Sequence, residues 1–220
     1  MTYTILAIDE KTGRLGGAAA TGSLCVGGWV LRGDPRAGMS ASQGTAPSTL
    51  WGEQVLERMR AGSPAETAVA QTVDPDSGRA YRQLAALDPA GRTAAFTGEA
   101  SVPACGHRAA PGVIVAGNML QDEGVLDAAL AAYLSTHGDF TDRLMAALFA
   151  GERAGSDSRG LLSAALLVVG RDIAPITLRV DYSETPLSAL SELLVRTHTA
   201  PYSEWVRGVP TLDVPGRADV

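Results

Sequence analysis

The stretch SAALLVV, Ser163–Val169, constrains this chain more than any other. An alternating strand keeps one face for water. An unbroken apolar strand has no such face and has to be covered on both. The fold must therefore place one layer above this strand and another below it. At 220 residues, 45% of them hydrophobic, the chain can bury a core of that thickness in one domain.

The remaining segments supply the layers. Tyr3–Ile8 and Leu15–Thr21 flank the charged turn DEKTG and read as a β-hairpin, with Gly16 and Gly17 open to close approach by a backbone or a substrate. Ala37–Gln43 reads as another strand. A helix opens at Pro47-Ser48, with Leu50, Val55, Leu56 and Met59 on one face. A second starts at Ser63-Pro64-Ala65-Glu66, with Ser63 as N-cap, and runs to Val73. Tyr81–Leu87 and Arg92–Thr97 form a second hairpin about DPAG, and Val113–Ala116 is a further strand. Helices follow over Gly124–Leu134 and Thr141–Ala150. Ile176–Val180 partners the apolar strand, and Pro186–Arg196 is the last helix.

Blocks of strands followed by blocks of helices predict an α+β fold, with mainly antiparallel sheets and the helices outside. Two such sheets packed face to face, with helices on the outer faces, give a four-layer α-β-β-α sandwich. Residues 1–198 then form a single domain and 199–220 an extended, Pro-rich C-terminal arm. Tyr202 and Trp205 on that arm, and the many small strand residues, predict a homodimer.

The net charge of −6 leaves no basic patch for nucleic acid or an anionic membrane. No apolar stretch approaches membrane-spanning length and no signal-peptide pattern is present, so a cytoplasmic protein is expected. Cys25 and Cys105 lack metal spacing and are expected to stay reduced. His107, His137 and His198 are scattered, and neither a P-loop nor a G-x-G-x-x-G fingerprint occurs. The expectation is no metal, no cofactor and a small-molecule substrate.

Thr2 is the first candidate for chemistry. With Met1 removed, its α-amine, with a reference pKa of about 8, sits beside its own hydroxyl as a built-in base. With Met1 kept, Thr2 is an ordinary strand residue. In Thr21-Gly22-Ser23-Leu24-Cys25, Thr21 and Ser23 can bind a substrate or orient a nucleophile. Cys25 reads more simply as a small buried thiol. Ser42 and Gln43 suit a carboxylate or amide ligand, or a satisfied turn. His107, in the Gly-flanked loop CGHR, is the best general acid–base by residue type, and Arg108 can hold a carboxylate. Asn118 can supply an oxyanion-hole amide or plain turn chemistry. Asp157 and Arg159, entering the apolar strand, either line a site or pair structurally.

The segments MTYTILAIDEKTGRLGGAAATGS, MRAGSPAE, RQLAALDPAGRTAAFTGE, CGHR, VIVAGNML and ERAGSDSRGLLSAALLVV together resemble DUF1028, a bacterial family of unassigned function. The resemblance runs from Met1 to about His198. It implies a fold similar to the N-terminal-nucleophile (Ntn) hydrolases, which cleave amide bonds with an N-terminal Thr, Ser or Cys; here that residue is Thr2. The family's GH matches Gly106-His107, its GNML matches Gly117–Leu120, and its D-x-RG-x-x-S matches Asp157, Arg159, Gly160 and Ser163. This chain departs from the pattern at Ala104, at Leu162 and in TGSLCVGG, where a basic residue is usual. The expected activity is Ntn-type amidohydrolysis of a small nitrogenous metabolite. Two rivals are a non-catalytic ligand binder on the same fold, and a hydrolase centred on His107 and independent of the N-terminus.

Overall fold

A computed structural model describes residues Thr2–Asp219. One sheet contains β1 (Thr2–Ile8), β2 (Leu15–Thr21), β7 (Gly106–Ala110), β8 (Val113–Asn118), β9 (Ser163–Val169) and β10 (Ile176–Val180), in the order β10-β9-β2-β1-β8-β7. The other contains β3 (Leu31–Asp34), β4 (Gly38–Gly44), β5 (Arg82–Leu87) and β6 (Thr93–Thr97), in that order. Every pairing between these strands is antiparallel. The helices are α1 (Val26–Trp29), α2 (Thr49–Arg60), α3 (Ala65–Val73), α4 (Gly124–Ser135), α5 (Phe140–Arg153), α6 (Pro186–Thr197) and α7 (Tyr202–Gly208). Among the described residues no helix is long and apolar enough to cross a membrane.

Period-two alternation assigns the layers. Tyr3, Ile5 and Ala7 of β1 pack with Leu126, Leu144 and Leu148 of α4 and α5. Leu6, on the opposite face of β1, packs with Met39, Ala41, Ala85 and Leu87 of the second sheet. Leu84 and Ala86, on the far face of β5, meet Trp51, Val55, Val69 and Val73 of α2 and α3. The molecule is thus the expected four-layer α-β-β-α sandwich. The apolar strand β9 meets its constraint within it: Ala164, Leu166 and Val168 face the helices, while Ala165 and Val169 face the second sheet. It lies inside its sheet, between β10 and β2, with the middle of the sheet formed by β2 and β1.

Two local expectations are corrected. Ser63 does not cap α3; Pro64 occupies the N-cap position and offers no side-chain acceptor. The buried carboxylate of Asp88 takes over, accepting from the Ala65 N–H at 3.1 Å as well as from the N–H groups of Ala90 and Arg92 in the DPAG turn. One side chain therefore holds both a hairpin turn and a helix start. Asp88→Ala is expected to destabilise the fold by about 2–4 kcal/mol, measured by urea denaturation. Nor is the C-terminal stretch extended throughout, since Tyr202–Gly208 is helical. Pro201 stands at the N-cap of α7 and Pro210 follows its end, so the prolines bracket a short helix instead of excluding it.

Candidate active site

Antiparallel pairing gathers four strand ends at one edge of the first sheet. Thr2 lies opposite Thr21 on one side and Asn118 on the other, and Thr21 lies opposite Ser163. Gln43, near the end of β4, faces them from the second sheet. Between the sheets at this edge is a cavity of about 470 Å³, a volume suited to a small molecule. Thr2, Thr21 and Gln43 form its buried floor, Ser23 and Arg159 stand on its rim, and Leu24, Trp29 and Met119 give it an apolar wall.

Thr2 is 7% exposed, and its hydroxyl donates to the Thr21 hydroxyl at 3.2 Å. Its backbone nitrogen has a definite direction. The Ile8 N–H donates to Gly112 O, in line with the register of β1 and β8. Residues of the same parity on β1, Thr2 included, therefore point their N–H groups at β8, and Thr2 and Asn118 form a hydrogen-bonded pair.

Behind the floor lies a buried amide network whose orientation follows from its backbone partners. Gln83 Nε2 donates to Gly117 O at 2.9 Å and to Gly106 O at 3.1 Å, both of which can only accept. Gln83 Oε1 is thereby fixed as the acceptor for Gln43 Nε2 at 2.6 Å and Asn118 Nδ2 at 3.3 Å. Gln43 Nε2 also donates to the Thr2 carbonyl at 3.4 Å, and Gln43 Oε1 accepts from the Thr4 hydroxyl. Asn118 Oδ1 is left over. The residue is 1% exposed, and this oxygen has no hydrogen-bond partner.

On the rim, the side chain of Asp157 is fully buried. It accepts from the Gly22 N–H at 2.6 Å, from the Arg159 N–H at 2.8 Å and from the Arg159 guanidinium at 3.1 and 3.2 Å. A side chain at position 22 would collide with that carboxylate, so Gly22 is required by the close approach. Arg159 Nη2 also donates to Ser23 Oγ at 3.2 Å. Ser163 Oγ pins the same loop, donating to Ser23 O and accepting from the Val26 N–H. Cys25 and Met119, which flank the cavity, are two of the three non-glycine residues with positive φ among the described residues, at 62° and 58°. Such strain clusters at functional sites.

The structure thus brings Thr2, Thr21, Ser23, Gln43 and Arg159 to one cavity, with Asn118 and Asp157 directly behind. Three candidates are not brought there. Ser42 points the other way: parity sends it into the helical layer, where its hydroxyl donates to Ser48 O at 2.7 Å. His107 is not in a loop. It lies exposed on the edge strand β7, opposite Ala116, outside the cavity lining. Arg108 faces the helices, where it pairs with Asp127 at 2.8 Å and Glu123 at 3.0 Å. Asn118 lies opposite Thr2, with one hydrogen of its amide nitrogen donated to Gln83 and its Oδ1 an open acceptor. Gln83 itself was missed, although an amide on the same face as Ala85 and Leu87 in RQLAAL is a legible signal. The apolar wall was missed because α1, a four-residue turn of sequence VGGW, has no readable period. Met1, whose removal would free the Thr2 amine, lies outside the described residues.

Fold and site together define a four-layer α-β-β-α protein with a small-molecule cavity at the N-terminal end of β1. The chain belongs to DUF1028, a family of unknown function whose model matches residues 2–190. The crystal structure of protein SPO2555 from Silicibacter pomeroyi, a DUF1028 protein, is 53% identical, with a TM-score of 0.96 over 99% of this chain and 95% of that one. Anbu (ancestral beta-subunit) from Yersinia bercovieri matches at 10% identity and a TM-score of 0.39, over 92% of this chain and 97% of that one. None of the curated proteins compared matches the chain.

Proposed function

We propose that this protein hydrolyses an amide bond in a small molecule, with Thr2 as nucleophile after removal of Met1. The observation that carries the reading is the open acceptor on Asn118. A buried carbonyl oxygen without a donor is costly and uncommon. This one belongs to the residue paired with Thr2, on the strand toward which the Thr2 nitrogen points. A free α-amine carries hydrogens beyond the one used in the sheet and can fill that vacancy. Threonine at position 2 is small enough for a methionine initiator before it to be removed.

The chemistry then runs through the chain's own atoms. The Thr2 hydroxyl proton passes to the α-amine as Oγ attacks the substrate carbonyl. Asn118 Oδ1 and the strand carbonyl stabilise the ammonium so formed. That ammonium returns the proton to the leaving nitrogen as the C–N bond breaks, leaving an ester on Thr2. Water attacks the ester, gives a proton to the amine, and Oγ departs to be reprotonated. One hydrogen of Asn118 Nδ2 is used by Gln83, and the second is the donor available to the oxyanion.

The test is made on untagged protein. Its intact mass is expected to lack Met1. Periodate, which cleaves a free 1,2-amino alcohol, is then expected to oxidise the N-terminal threonine. A β-lactone is expected to acylate the protein once, at Thr2. Retained Met1, or acylation at any other residue, overturns the proposal; retained Met1 with saturable ligand binding would favour the non-catalytic reading.

A further inference from the structure

The cavity also carries a charge that amide hydrolysis does not use. Among the described residues that line it, Arg159 is the only one with a charged side chain. Its guanidinium is unevenly engaged. Nε and Nη2 are held by Asp157, Nη2 also reaches Ser23, and Nη1 makes no hydrogen bond among the described residues. Asp157 is buried and held on the Nε and Nη2 side, which leaves Nη1 as the uncommitted donor of a guanidinium that lines the cavity. Arg159 is also tied to the nucleophile by a short path. The Thr2 hydroxyl meets Thr21 Oγ1, which accepts from the Ser23 N–H, and Ser23 Oγ accepts from Arg159.

We infer that the substrate is a carboxylate-bearing amide, an N-acylated amino acid in its simplest form, whose carboxylate rests on Arg159 Nη1 and whose apolar side group lies against Leu24 and Trp29. The inference rests on the proposed function for the identity of the scissile bond, but the anion site stands on Arg159 alone. A single uncommitted guanidinium nitrogen, on a group already balanced by Asp157, matches one carboxylate. A phosphate, with twice the charge, would call for further cationic side chains, and among the described residues the lining offers none beyond Arg159. Leu24 and Trp29 are exposed at the mouth, where a bound apolar group would cover them.

The experiment compares N-acetyl-L-leucine with N-acetyl-L-leucinamide, which differ in the carboxylate alone. Binding is measured calorimetrically on wild type and on Thr2→Ala, so that the result does not depend on turnover. The acid is expected to bind about tenfold more tightly than the amide in both proteins, and to lose that margin as salt is raised. Arg159→Gln, which can still donate to Asp157, is expected to remove the preference; Arg159→Lys is expected to keep part of it. Should Arg159→Gln fail to fold, the wild-type comparison and its salt dependence still decide. Equal affinities, no binding by either compound, or a preference that survives in folded Arg159→Gln overturns the inference. Failure of Thr2 acylation alongside a clear preference for the acid would count against the nucleophile and leave the anion site standing.

Discussion

Thr2→Ala is expected to abolish acylation by a β-lactone and to lower amide hydrolysis by about 10⁴-fold or more, while the protein stays folded. The side chain lines the cavity, and among the described residues its hydroxyl donates only to the hydroxyl of Thr21. Its removal therefore costs about 1 kcal/mol of stability at most. The chemical loss is far larger, because no other cavity hydroxyl has a base built into the same residue. Thr21 and Ser23 carry their nitrogens in peptide bonds, where nitrogen is not basic. Alanine at position 2 still permits methionine removal, so the variant isolates the hydroxyl from the free amine. Thr2→Ser keeps both groups and is expected to remain acylated. Mass spectrometry of the lactone-treated proteins reads both outcomes. Full acylation of Thr2→Ala would remove Thr2 from the mechanism.

Gln83→Leu is expected to be the most destabilising near-isosteric change in the inter-sheet layer, at about 3–5 kcal/mol. Leucine fills the same space but removes the side-chain donor to Gly106 O, Gly117 O and the Thr97 hydroxyl. It also takes the acceptor from Asn118 Nδ2 and leaves Gln43 Nε2 with the longer bond to Thr2 O alone. The buried groups that lose a partner then bear more of their desolvation cost. The amides act as a unit, so Gln43→Leu combined with Gln83→Leu is expected to cost clearly less than the sum of the single changes. Urea denaturation of the two single variants and the double measures this directly. A cost below about 1 kcal/mol for Gln83→Leu would mean that the network contributes little to holding the sheets together. The change also frees Gln43, which fixes the Thr2 carbonyl, so acylation of Thr2 is expected to slow in any fraction that remains folded.

The sequence alone determined the layers. SAALLVV demanded cover on both faces, and the hairpins and helix faces around it could supply that cover in only a few ways. Such patterns are local: a period of two or 3.6 is visible within a single segment. Thr2 and Thr21 could be brought together on the same grounds, because a hairpin with one turn fixes its own register. What only the tertiary structure decided was the direction of each polar group and which distant groups meet. Ser42 and Gln43 are neighbours in sequence, yet strand parity sends one into a helical layer and the other into the cavity. His107 and Arg108 were legible as chemically able residues, but pairing with β8 made their segment an edge strand, with one facing solvent and the other salt-bridged to a helix. Asp88 caps a helix that begins 23 residues earlier. The orientation of the Asn118 amide follows from Gln83, 35 residues away, whose own orientation is set by two backbone carbonyls. Hydrogen-bond direction depends on every partner in a network at once, and those partners become neighbours only when the two sheets close on each other.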